Sequence, residues 1–497
     1  MLKMKNSRSH NTVTTLWPFG RHTRKPTIFE HVHLPDEGQE FLKPSLAMLI
    51  QEVEGSPDPR HEEAVAHFQT AEEKFESWQY RHAAASYQAS YDTSESLSAL
   101  LAQGVALMMV SELQQAAEVF EAGRSLARQQ QVSEFEVAFG INLGQVCNDL
   151  GEPDRALGAM EGARSLCREI EDRSLEAMAL RHLGFLLRDH GDYQKGIECC
   201  EKAVQISLAI EDQVGQAAGF CTLGTITQTR RELIRAEELL RNGIALARGL
   251  KHHHQLGRLW ASLSSVLLLK GNLADAIAAQ EESLRIHQQL QYRHGEIRNI
   301  GDLGALRYME GKLAEGYQAL EQAVEQNATI EYRKGEIRAR ISLGMVYLES
   351  GRIGDARLMF EQARNVSEMI RCCRRTIETS VILTCLPGKA DTTDGILTQL
   401  ELCLKEARKR KIPSEEIHTL QRLGQIQLNL GQFHDAESHF LSALDICQTM
   451  VNQQEEATCL MLLASTYQNR GDIGRATEAK ATAQAILQTL GFPIHEF

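Results

Sequence analysis

The chain has 497 residues, of which 43% are hydrophobic and 24% charged, and it carries a net charge of −13. This is enough apolar material to bury a core, which excludes a wholly disordered chain. Aromatics at 6% and only 10 prolines, among abundant Ala, Leu, Glu, Gln and Arg, favour helices over a β-sandwich or barrel. The acidic balance argues against nucleic acid as a partner, because phosphate neutralisation supplies most of that affinity, and no apolar run approaches the ~18 residues of a membrane span.

In chain order, residues 1–43 read as a disordered basic tail and linker. Lys3, Lys5, Arg8, Arg21, Arg24 and Lys25 meet no acid before residue 30, and no hydrophobic run marks a secretory signal. The tail also has the Ser/Thr-rich, acid-free character of an organelle-targeting segment, so that alternative stands beside a cytoplasmic location. Residues 44–60 read as one short amphipathic helix, Pro44 to Glu54 with Pro44 in its first turn, followed by a linker. The eleven cysteines are scattered in helical patterns without a CxxC pair, which fits buried thiols in a reducing compartment.

From residue 61 to 492 the chain repeats. Leu143-Gly144, Leu183-Gly184, Leu223-Gly224, Leu263-Ser264, Leu303-Gly304, Leu343-Gly344, Leu423-Gly424 and Leu463-Ala464 recur in steps of 40 or 80 residues. Seven residues after each small residue stands a glycine in most units, such as Gly151, Gly271 and Gly431. Twelve and nineteen after it stand further small residues, such as Ala156 and Ala163. A large residue at +16 (Met160, Leu240, Leu320, Phe360, Phe440) separates those two. The reading is two helices per unit, a tight turn at the glycine, close approach at the small residues, and stacking of units that cannot bury their own apolar faces. About eleven units are expected. The one near 371–410 is degenerate: Pro387-Gly388 should stop its first helix early, and Lys389–Gly395 reads as a polar loop. Gly491 and Pro493 end the last helix, leaving 493–497 as the C-terminal end.

These offsets resemble the tetratricopeptide repeat (TPR), and the 40-residue period is similar to the longer-repeat adaptors of the Pins, rapsyn and kinesin-light-chain type. The resemblance implies an all-α, right-handed superhelical solenoid of helix–turn–helix repeats. It also implies that the first helix of each pair lines a concave groove. Along that helix, offsets −6, −3, +1 and +4 from the small residue share one face.

Reading those offsets through successive units gives Arg181 and Arg188, then Gln228, then Arg258, then Arg298 with Tyr308, then Arg338 as partner-binding candidates. Arginine at −6 in three successive units would form a basic ladder in an acidic protein, and its planar fork suits carboxylates. Arg298 has Asp302 four residues on, the spacing of an intrahelical ion pair, whereas Arg258 and Arg338 have Ser262 and Ser342 there.

No Walker loop, Rossmann fingerprint, HExxH or GxSxG is present. His252-His253-His254 lacks a partner ligand at metal spacing and reads as a solvated linker. No catalytic residue, metal or cofactor is therefore expected. The leading reading is a non-enzymatic scaffold or adaptor whose groove binds peptide segments, acidic ones in particular, of other proteins. A regulatory array that controls a separate enzyme or transcription factor remains an alternative, as does an RNA-binding helical repeat. The oligomeric state is left open.

Overall fold

A computed structural model describes residues 29–33, 40–44, 46–53, 60–386 and 393–490. Ahead of the array, β1 (Phe29–His33) pairs antiparallel with β2 (Glu40–Pro44), Phe29 opposite Pro44 and His33 opposite Glu40. Part of the expected tail and linker is therefore a strand pair, and Pro44 closes a strand instead of opening a helix. The short helix begins two residues later, as α1 (Leu46–Val53). Its Leu49 is buried, and the Glu52 carboxylate accepts from the Ser96 hydroxyl and, at 3.3 Å, from the Ser98 N–H.

Eleven helix pairs follow. The first three are α2 (Arg60–Glu76) with α3 (Tyr80–Ser94), α4 (Leu97–Met109) with α5 (Leu113–Gln130), and α6 (Ser133–Asp149) with α7 (Pro153–Glu169). Next come α8 (Arg173–Asp189) with α9 (Tyr193–Ala209), α10 (Gln213–Thr229) with α11 (Leu233–Gly249), and α12 (His253–Leu269) with α13 (Leu273–Gln289). Then α14 (Arg293–Met309) pairs with α15 (Leu313–Thr329), and α16 (Arg333–Glu349) with α17 (Ile353–Met369). The last three are α18 (Cys373–Cys385) with α19 (Thr393–Lys409), α20 (Pro413–Asn429) with α21 (Phe433–Thr449), and α22 (Gln453–Arg470) with α23 (Ile473–Thr489).

The 40-residue period has a simple mechanical origin. Helices α6 to α17 are each 17 residues long and are separated by three-residue connections, so a left-handed residue recurs every twenty positions. Within pairs it is usually glycine, as at Gly151 (φ 72°), where the Glu152 N–H closes back on the Cys147 carbonyl at 2.8 Å. Between pairs it is never glycine among the described residues: Glu171, Lys251 and Glu331 adopt φ of 54–55°.

The small residue and the +16 residue form one packing unit. A Cβ on Gly144 would lie 3.0 Å from the Met160 Cε, and one on Gly424 only 2.6 Å from the Phe440 Cε1. The close approach lets each large side chain seat against the facing helix backbone. Met160, Cys200, Leu240, Leu320, Phe360 and Phe440 are all buried in this way.

The degenerate unit keeps this register but loses length. Helix α18 stops at Cys385, four residues short of its equivalents, just before the Pro387-Gly388 pair. Residues 387–392 lie outside the described residues. Asp394 and Gly395, expected in the loop, belong instead to the first turn of α19. At the other end, Ala479, Ala483 and Leu487 of α23 are buried within the last pair, against α22.

Curvature places the first helices inside. Helices α4, α6, α8, α10 and α12 touch one another in sequence, as do α14 with α16 and α18 with α20, while the second helices make no comparable contacts along the array. The superhelix also completes a turn and stacks on itself. The Cys373 thiol reaches the Leu150 carbonyl at 3.7 Å, a separation of 223 positions. The Lys411 ammonium meets Asp154 at 2.6 Å, Lys334 pairs with Asp149, and Arg231 donates to Gln454. At the first end of this seam Tyr80 bonds the His294 ring at 2.6 Å, and Trp78 and Tyr332 pack edge-on against the same ring.

Candidate partner-binding groove

The inner helices carry the residues predicted for the groove, and stacking of the second turn encloses part of it. A cavity of about 320 Å³ is lined from α8, α10, α12 and α14 by Arg188, Gln228, Arg258 and Arg298. Cys221, Thr225, Thr229, Ser262 and Ser265 fill the same wall. The facing wall belongs to the next superhelical turn: Arg374 and Arg375 from α18, Ser414 from α20, and Met450 after α21. Tyr193 and Asp189 complete the lining. Five arginines thus face a space with one carboxylate.

Each guanidinium has a carboxylate or amide partner. Arg188 donates to the neighbouring Asp189 at 2.9 and 2.6 Å and lies over the Phe185 ring. Arg258 donates to Gln255 at 3.2 Å, and Arg298 lies 3.6 Å from Asp302. Across the cavity Arg375 pairs with Glu378 at 2.8 Å, and Arg374 lies 3.6 Å from Glu415. Burial alone would raise the Asp189 carboxyl. The guanidiniums of Arg188 and Arg374 and the donated bond from Asn148 outweigh it and hold the group below the usual carboxylate range. Burial lowers the neighbouring His190 imidazole and raises the Glu415 carboxyl.

The seven predicted groove residues therefore divide. Arg188, Gln228, Arg258 and Arg298 come together on the cavity. Arg338 does not line it; its Nη1 donates to Asp302 at 3.1 Å, across one repeat, so an intra-array partner is present where the local spacing offered only Ser342. Arg181 is buried between helices. Tyr308 shares the Ser350 hydroxyl with Tyr317 and packs edge-on against that ring, away from the cavity.

Arg374, Arg375, Ser414 and Met450 escaped the sequence reading. They come from a turn of the superhelix some 200 residues further on, and no local offset encodes that juxtaposition. Arg374 and Arg375 follow directly on Cys372-Cys373 in the first turn of α18. The histidine triplet is not a linker: His252 caps α12, its Nδ1 accepting from the Gln255 N–H at 3.3 Å, and His254 packs against Tyr292. Among the described residues no group of three or more His, Cys, Asp or Glu is placed to hold a metal ion, and no helix is long and apolar enough to cross a membrane.

Comparison with known proteins agrees with this architecture. The tetratricopeptide-repeat family profile matches residues 417–449, which span most of α20 and all of α21. No curated protein matches the sequence. Among solved structures, that of a Rap protein complexed with competence and sporulation factor is similar at 14% identity. Its TM-score is 0.50, and the match covers 72% of this chain and 99% of that one. Aspartyl phosphate phosphatase F from Bacillus subtilis is similar at 11% identity and a TM-score of 0.45, over 69% and 94% of the two chains. At such identities the likeness is one of fold. The chain is thus an all-α solenoid of stacked helix pairs in which residues 417–449 match the tetratricopeptide repeat, a fold typical of protein-interaction scaffolds.

Proposed function

We propose that the chain is a non-enzymatic adaptor whose concave surface holds an extended, acidic segment of a partner protein. The observation that carries this reading is the convergence of Arg188, Arg258 and Arg298 from the inner helices α8, α12 and α14 on one cavity. Each is oriented by a carboxylate or amide behind it, and fixed guanidinium forks are suited to carboxylates. Eleven thiols without a disulfide favour the cytoplasm as its compartment. The test is paired affinity capture with the native chain and with Arg258→Glu/Arg298→Glu, both checked for equal helicity. The reading expects a set of partners, enriched in acidic segments, to vanish from the variant. Recovery of the same partners by both baits overturns it.

One observation favours the regulatory alternative. Strand β2 lies against α4 and α6, so a segment of the chain itself occupies the first part of the inner surface. An array whose groove is partly filled by its own N-terminal segment is suited to switching. In that case, removal of residues 1–44 increases partner capture; unchanged capture refutes this version.

A further inference from the structure

The cavity has properties that an extended peptide does not require. Its lining is mostly polar: Met450, Cys221 and the Tyr193 ring are its apolar members, among hydroxyls, an amide, the Asp189 carboxylate and guanidiniums. Peptide grooves derive much of their affinity from apolar side chains seated in pockets. The cations also stand on opposite walls. Arg188, Arg258 and Arg298 belong to one superhelical turn, and Arg374 and Arg375 to the next. A single carboxylate has one acceptor edge and serves one or two forks. Bridging both walls at once takes a compact ligand with acceptors all round. A volume of about 320 Å³ is at the small-molecule end of the range for binding sites.

We propose that this cavity binds a small molecule carrying two or more phosphoryl groups. Each phosphoryl offers three oxygens, so a chain of them accepts from both walls at once, from arginines that cannot deprotonate. Thr225, Ser262 and Ser265 supply neutral hydroxyls between the guanidiniums. The carboxylates of Asp302, Glu378 and Glu415 stay outside the lining and act as props that hold the forks in place. Because the ligand touches both turns, it also fastens the seam beside the cavity. This goes beyond partner binding: the site would hold a small-molecule effector within the groove.

The test is isothermal titration of the full chain at physiological salt with inorganic tripolyphosphate, orthophosphate and a hexaglutamate peptide. The proposal expects one tripolyphosphate per chain and orthophosphate weaker by about ten-fold or more, since fewer forks are engaged. Arg258→Gln/Arg298→Gln, from one wall, should weaken tripolyphosphate by about thirty-fold, and Arg375→Gln, from the other wall, by several-fold. Arg285→Gln, an exposed arginine paired with Glu282 on α13, should leave it unchanged. Equal circular dichroism and melting of the ligand-free variants separates lost binding from lost folding. The proposal is overturned if tripolyphosphate does not bind, if Arg285→Gln weakens it as much as the cavity variants do, or if hexaglutamate binds as tightly and displaces it. Loss of tripolyphosphate from a variant that still captures every partner would uphold this site and reject the peptide reading.

Discussion

Replacing Gly424 by Ala tests the packing unit on which the array is built. In a helix interior the change should be favourable by ~1 kcal/mol, because Ala is the better helix former. Here the new Cβ would fall 2.6, 2.8 and 2.9 Å from three ring carbons of Phe440, a side chain with no exposed surface. Ordinary carbon contacts lie near ~3.5–4.0 Å, so the ring must move within a filled core, at a cost of roughly 1–3 kcal/mol. The net expectation is a loss of ~1 kcal/mol. Phe440→Ala alone should cost ~3–5 kcal/mol, the range for a buried aromatic. In that background the obstacle is gone, so Gly424→Ala should stabilise by ~1 kcal/mol. The predicted coupling of ~2 kcal/mol well exceeds the ~0.3–0.5 kcal/mol by which independent sites deviate from additivity. Denaturant midpoints by circular dichroism, with hydrogen exchange across α20–α23, give the four corners of the cycle. Gly424→Ala with the same effect in both backgrounds would show that the ring does not seat on this glycine.

Four further outcomes are expected. Burial pushes the His287 imidazole down to about 4, so the folded state resists its protonation. Stability should then be full above the unfolded value near 6.5 and fall by ~3 kcal/mol as pH drops from there towards 4; His287→Gln should flatten that part of the melting-versus-pH curve. Lys334→Met leaves the poorly exposed Asp149 without its cross-turn cation and should cost ~3–5 kcal/mol, with a larger radius of gyration in small-angle scattering. Gly271→Ala, at φ 81°, should destabilise by ~1 kcal/mol in thermal melts. Lys251→Gly, at φ 55° on an exposed turn, should stabilise by up to ~1 kcal/mol in the same assay.

Much of the repeat was legible because its chemistry is local. A glycine at +7, small residues at 0 and +12, and a large one at +16 all act within one helix pair, so the spacing of Gly344, Ala356 and Phe360 carries its own geometry. Part of the inner face was legible for the same reason: four of the seven residues read onto it, Arg188, Gln228, Arg258 and Arg298, line one cavity. Two kinds of fact were not. The partner of Arg338 is Asp302 in the preceding repeat, a choice made by superhelical curvature and not by i+4 spacing. The second wall, Arg374 and Arg375, depends on the pitch of the whole superhelix, to which every inter-pair angle contributes. The recurring corner illustrates both. Tyr292–Arg298 and Tyr332–Arg338 share the same internal pairs, Arg293–Glu296 and Arg333–Glu336. Yet His294 meets Tyr80 and Lys334 meets Asp149, because the previous turn offers each a different neighbour.

Closure of the superhelix is the claim on which the two-walled cavity depends, and one cross-link tests it directly. A Cβ on Gly151 would lie 3.4 Å from that of Cys373, close to the ~3.5–4.5 Å span of a disulfide. Gly351 has a matching backbone (φ 73° against 72°), but a Cβ there meets nothing within 4 Å. Under mild oxidation Gly151→Cys should form a bond to Cys373, seen as a faster-migrating band without reductant and as a 151–373 linked peptide by mass spectrometry, whereas Gly351→Cys should not cross-link. If a folded Gly151→Cys chain keeps both thiols free to the same extent as the control, the turns do not stack and the second wall is absent.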